Sequence, residues 1–286
     1  MIHVAEAGEA KGRVVVQACS ARPSPVALEA AVWLASAFQS EIESLYVEDQ
    51  QLAELARYPF AREISFSGRA SRALNSQDIE REFRFASQAF HEMIERLARA
   101  AEISVRPRVV RDEPVHALSM VCAASGPWNA IALAEPFTSP ACPPLRALFE
   151  HVRDATGLLL VGPNAQRTSG PIVVALEDAG QLGAMLAAAE RLIAVRPAEI
   201  LVCPIAMIET ELDVLEAAAR LVLAERETTR IASRVLALGA EASAAEGLRR
   251  LRPGLVIGRF GGILVPQNGD LRPLAIGLEC PMLLMR

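Results

Sequence analysis

Arg13-Val-Val-Val-Gln-Ala-Cys-Ser20 runs into an Ala/Leu-rich stretch and then Glu41-Ile-Glu-Ser-Leu-Tyr-Val47, and this plan decides the fold because it returns later in the chain. Pro171-Ile-Val-Val-Ala-Leu-Glu177 leads into a second Ala-rich stretch and then Ala198-Glu-Ile-Leu-Val-Cys-Pro204. Short unbroken apolar runs of this kind are strands buried on both faces. Between them Ala27, Leu28, Ala31, Leu34, Ala35 and Phe38 recur at helical spacing, after Pro23 and Pro25, where a missing N–H costs nothing in a first turn. A strand–helix–strand opening that occurs twice predicts a duplicated α/β domain.

Working outward, the first copy continues with an irregular insertion over 57–74, a long helix over 79–101, a strand over 103–110, a helix over 114–124 and a short strand over 130–133. A helix over 143–154 and a strand over 157–161 close it. The polar stretch 164–170 has no periodicity and is the expected linker, which divides the chain into domains 1–165 and 166–286. The second copy repeats the order with strands over 172–176, 199–203, 231–238 and 254–257, helices over 181–194, 211–225 and 242–251, and a last strand at 281–285. Helices between parallel strands require right-handed crossovers and a sheet covered on both faces. Each copy is therefore expected to be a doubly wound, mostly parallel, five-stranded α/β domain, the two related by a pseudo-twofold axis near their closing strands.

Composition narrows the function classes. The 286 residues are 52% hydrophobic but 5% aromatic, so the core is aliphatic. A net charge of −5 offers no basic face for nucleic acid. Lys11 is the only lysine, and its setting matches neither a phosphate-binding nor a Schiff-base lysine. Five cysteines without Cys-x-x-Cys spacing read as buried thiols in a reducing compartment. The polar first dozen residues lack a signal-peptide core, and no apolar run approaches the ~20 residues that span a bilayer. The expectation is a cytoplasmic protein without membrane insertion.

The openings of the two copies, the Leu45-Tyr-Val-Glu-Asp49 end of the second strand, Leu255-Val-Ile-Gly-Arg-Phe-Gly261 and the closing Cys280-Pro-Met-Leu-Leu-Met285 together resemble a tandem universal stress protein. The resemblance covers nearly all of the chain after the first dozen residues and implies an internal pseudo-dimer paired through its final strands. ATP-binding members of that family carry Gly-x-x-Gly, nine residues, then Gly followed by Ser or Thr, with an Asp at the end of the first strand. Glycines admit phosphates to the backbone, and N–H groups of a loop bind them. Here Gly258 and Gly261 fit the first part, but only seven residues precede Gly269, and Asp270 stands where the hydroxyl belongs. Two like charges at ~4 Å repel by on the order of a kcal/mol even in water. Glu177 takes the place of the Asp in the second copy and Cys19 in the first, where the glycine loop is missing. The plainer reading of Gly258, Gly261 and Gly269 is turn glycines after a strand, and weak ATP binding or none is expected.

Other candidates are sparse. The insertion carries Arg62 and Arg69 among aromatics near a strand's carboxyl end, where a clamp for an anionic ligand would sit, pointing beside Cys19 and Ser20. Its alternative is packing by Phe60, Ile64 and Phe66. The four histidines lack metal-ligand spacing, His91 and His151 read as surface or capping residues, and Glu48-Asp49 and Glu177-Asp178 read as solvated strand-end acids. No catalytic residue and no metal site is assigned. The expectation is a non-catalytic universal-stress-like regulatory protein with no cofactor, acting through a protein partner or a small regulatory ligand, with further self-association open. Its alternatives are an ATP or other adenine-nucleotide binder using the second copy, and a hydrolase or transferase on the same scaffold.

Overall fold

The computed structural model describes residues 12–20, 23–65, 67–125, 129–138, 142–224, 229–232, 235–236, 241–267 and 272–286. The first half contains β1 (Arg13–Ala18), α1 (Pro25–Ala37), β2 (Glu41–Asp49), α2 (Gln50–Leu55), β3 (Arg62–Ile64), β4 (Ser71–Ala73), α3 (Ser76–Ala100), β5 (Val105–Asp112), α4 (Pro114–Ser125), β6 (Asn129–Leu133), α5 (Leu145–His151) and β7 (Ala155–Leu160). The second contains β8 (Ile172–Leu176), α6 (Leu182–Val195), β9 (Ile200–Ala206), α7 (Glu209–Leu223), β10 (Thr229–Ile231), β11 (Val235–Leu236), α8 (Glu241–Arg250), β12 (Leu255–Arg259), α9 (Arg272–Gly277) and β13 (Met282–Met285).

One sheet runs β10-β9-β8-β12-β13-β7-β6-β1-β2-β5, with β11 also paired to β9. Every pairing in it is parallel except the central one, where β13 meets β7 antiparallel with Met282 opposite Leu160 and Met285 opposite Gly157. The two halves thus share one sheet, and the expected pairing of the closing strands is present. Apolar burial continues across the seam. Val14, Leu28, Trp33, Leu186, Ile200 and Met285 belong to one core cluster, and Val15, Leu118, Leu148, Val173, Leu248 and Leu284 to the other. On the first of these faces α1 packs against α6. There the Trp33 indole N–H donates to the Leu192 carbonyl at 3.1 Å, and the Arg196 guanidinium lies 4.9 Å from the indole ring centroid.

Several local expectations change. The 57–74 insertion follows α2, whose amino end Asp49 caps, and contains a hairpin formed by β3 and β4. Of the strand expected over 231–238, Ile231 ends β10 and Val235–Leu236 form β11, residues 233–234 and 237–238 lying outside the described residues, and α9 is an addition. The 164–170 segment is pinned at several points. The Gln166 N–H donates to the Glu279 carbonyl at 2.9 Å, and Thr168 Oγ1 donates to Glu29 Oε1 at 2.6 Å.

Candidate functional site

In a doubly wound sheet the crevice lies outside the carboxyl ends of the strands, where the chain's path switches sides. The order places it between β1 and β6 in the first half and between β8 and β12 in the second. Both crevices contain a glutamate bound to successive backbone N–H groups, buried in the first half and half-buried in the second.

In the second half Glu177 follows β8 and reaches the turn after β12. Its Oε2 accepts from the Ile263 N–H at 2.7 Å and its Oε1 from the Leu264 N–H at 2.8 Å. Gly262 makes the room, since a Cβ there would lie 1.7 Å from Glu177 Oε2. Gly261 sits at φ +81°, a left-handed conformation that favours glycine, and its N–H closes a turn onto the Val265 carbonyl at 2.8 Å. Successive N–H groups in such a turn form a concavity for an anion, and the anion present is the chain's own. Burial raises the Glu177 carboxyl above its ordinary value, against the opposing pull of the two N–H groups and the Arg259 charge.

In the first half donor and acceptor change sides. Glu135, just beyond β6, is 2% exposed, and its Oε1 accepts from the N–H groups of Cys19 and Ser20, both at 2.8 Å. Burial raises the Glu135 carboxyl as well, against those bonds. Beside it the Gln17 amide donates to Cys19 Sγ at 2.7 Å. Burial, and then the Glu135 charge, pushes the Cys142 thiol up to about 12 and raises that of Cys19 too. Neither thiol is primed as a nucleophile, which requires a lowered value.

Of the residues singled out from the sequence, Glu177 lies in the second crevice beside Gly261. A Cβ on Gly258 would make only ordinary contacts, at 3.6 Å to Leu264 and Leu284, so its small size is not what the site needs. Gly269 and Asp270 lie outside the described residues. Arg62 spends its guanidinium within the hairpin, Nε donating to Ser71 Oγ at 2.9 Å, and Arg69 is exposed in the hairpin turn. Phe60, the packing alternative, is 75% exposed, and Phe66 lies outside the described residues.

His91 is half-buried rather than a surface or capping residue. Its Nδ1 is 2.8 Å from Ser44 Oγ, and burial lowers its basicity. The strand-end acids are engaged structurally: Glu48 pairs with Arg111, Asp49 caps α2, and Asp178 accepts from the Gly180 N–H. Glu135 and Gly262 were not singled out in advance. The doubled Gly261-Gly262 was the available signal for Gly262, since one glycine serves the turn and the next serves the close approach. Among the described residues no group of three or more His, Cys, Asp or Glu side chains is placed to hold a metal, and no helix is long and apolar enough to cross a membrane.

No protein-family profile matches the chain, and no curated protein does. Solved structures match over nearly all of its length. A universal stress protein of Archaeoglobus fulgidus DSM 4304 superposes with a TM-score of 0.58 at 11% identity, covering 95% of this chain and 96% of that one. A functionally unknown protein of Pseudomonas aeruginosa PAO1 gives 0.58 at 15% identity, covering 96% and 92%. The cytoplasmic domain of a prokaryotic cation chloride cotransporter gives 0.51 at 12%, covering 96% and 95%. The chain has the tandem universal-stress-protein fold, an α/β architecture with two such units in one polypeptide.

Proposed function

We propose that this is a non-catalytic, cytoplasmic regulatory protein of universal-stress-like build that acts through a partner or a small regulatory ligand and does not hold ATP in the family manner. One observation carries the reading: in both crevices a glutamate of the chain occupies the backbone N–H groups that an incoming phosphate would need. A phosphate would have to displace a carboxylate held by two hydrogen bonds, each charge-assisted bond being worth about 1.5–3 kcal/mol. The raised thiols of Cys19 and Cys142 leave neither activated as a nucleophile in the first crevice.

Isothermal titration with Mg-ATP tests it. No saturation in the low micromolar range is expected for the natural chain, and saturation there would establish the nucleotide-binding alternative instead. Glu177→Ala frees the N–H groups of Ile263 and Leu264 and is expected to gain affinity for ATP over the natural chain.

A further inference from the structure

A concavity of about 330 Å³ opens between the halves, within the size range of small-ligand sites. Its apolar wall is shared: Phe149 of α5 and Phe260, just after β12, stack with ring centroids 3.7 Å apart and planes 8° apart. Arg146 comes from α5, Arg259 from the end of β12, and Arg286 from the residue after β13. Gln181 and Gln267 add amides to the rim. We propose that this concavity binds a small organic dianion, a phosphate monoester or a dicarboxylate, at a site formed by both halves.

The charges favour such a ligand. Three guanidinium groups line one hollow with a single carboxylate, Glu150, so its walls carry an excess of positive charge in a chain of net charge −5. The Arg286 guanidinium donates to the carbonyls of Phe149, Val152 and Arg153, which hold it in place without neutralising it. Arg259 pairs with Asp178 at 3.1 Å and Arg146 with Glu150 at 2.6 Å, both through partners more than a third exposed. Exposed pairs of this kind contribute little, so an oxyanion with two charges competes for the same forks, whose planar geometry suits carboxylate and phosphate alike. Amide donors and the stacked rings would receive the hydroxyl or hydrocarbon part of the ligand. The site goes beyond the function proposed above by placing the small ligand and giving its chemistry. It adjoins the second crevice through Arg259, but the N–H groups held by Glu135 and Glu177 are not among its walls, so Glu177→Ala tests the ATP question and the variants below test this site.

The full-length chain, in phosphate-free buffer of low ionic strength, is titrated with glycerol 3-phosphate and with succinate, and binding is read by calorimetry. Saturable binding of at least one is expected. Arg259→Gln, Arg146→Gln and Gln181→Glu are each expected to weaken it about tenfold or more, while Arg72→Gln, an exposed arginine on the hairpin, leaves it unchanged. Binding of the ester alone identifies a phosphate ligand, and binding of succinate alone a dicarboxylate. Failure of both probes to saturate overturns the proposal, as does binding by the Arg259, Arg146 and Gln181 variants with the natural affinity.

Discussion

At the scale of single residues, the two crevice glutamates, Glu135 and Glu177, make a pH prediction whose sign is opposite to that of an ordinary salt-bridged acid. Burial raises both carboxyls above their ordinary value of 4.5, so the folded chain binds these protons more tightly than the unfolded one. The stability they contribute is complete below that ordinary value and is lost as pH rises through the folded value. Glu135→Gln and Glu177→Gln keep an acceptor oxygen for the N–H groups and remove the titration. Urea midpoints of the natural chain are therefore expected to fall relative to either variant as pH rises from acid to neutral, and midpoints that hold level or rise relative to the variants over that range contradict the assignment. Gly262→Ala would drive a Cβ into Glu177 Oε2. It is expected to cost about 1–3 kcal/mol by expelling the carboxylate from its N–H partners, and to cost little in a Glu177→Ala background, a coupling that a double-mutant cycle measures. The location of the second site was legible in the sequence, because Glu177 ends a strand and glycines mark the facing turn. That the glutamate fills the turn was not, since a contact across 86 positions has no local pattern. Glu135 was hidden for a further reason: in the first half the roles of strand end and facing turn are exchanged.

At the scale of elements, periodicity located most of the strands and long helices, because each is an apolar run or stripe packed on one sheet. It failed where packing does not dictate the pattern. The β3–β4 hairpin is exposed along its length, so its residues carry no buried face to read. Truncating Phe60, which is 75% exposed, is expected to change stability by no more than about 0.5 kcal/mol, as surface substitutions do. Thermal melting checks it, and a loss of several kcal/mol would show that this ring is packed in solution. The β1, β2 and β5 strands are joined by a clasp that composition alone conceals. Buried Glu43 accepts from Arg13 at 2.8 Å and from Arg108 at 3.1 Å. Glu43→Ala leaves Arg13 with Glu41 alone and removes two charge-assisted hydrogen bonds between partly exposed arginines and a buried carboxylate, at an expected cost of about 1–3 kcal/mol. That loss should appear in chemical unfolding, and a near-neutral variant would mean the clasp is solvated.

At the scale of the whole molecule, the antiparallel meeting of β7 and β13 welds two parallel half-sheets into one, and both core clusters cross it. Unfolding is expected to be a single cooperative transition, with tryptophan fluorescence, which reports on the first half, and far-ultraviolet dichroism giving the same midpoint. Separate midpoints would mean that the halves melt independently. Leu284→Ala, on the seam and fully buried, is expected to cost about 2–5 kcal/mol and to lower both signals together. The seam also has a consequence in mass action. Two separate subunits joined along this edge would come apart on dilution, and their stability would depend on how much of each was present. Here the strands that meet are carried by one backbone, so the joint forms at an effective concentration set by the connecting segment rather than by abundance in solution. The paired state is therefore the same in a scarce protein as in a plentiful one, and each half is free to carry residues the other lacks, as Glu135 and Glu177 already do from opposite sides of their crevices.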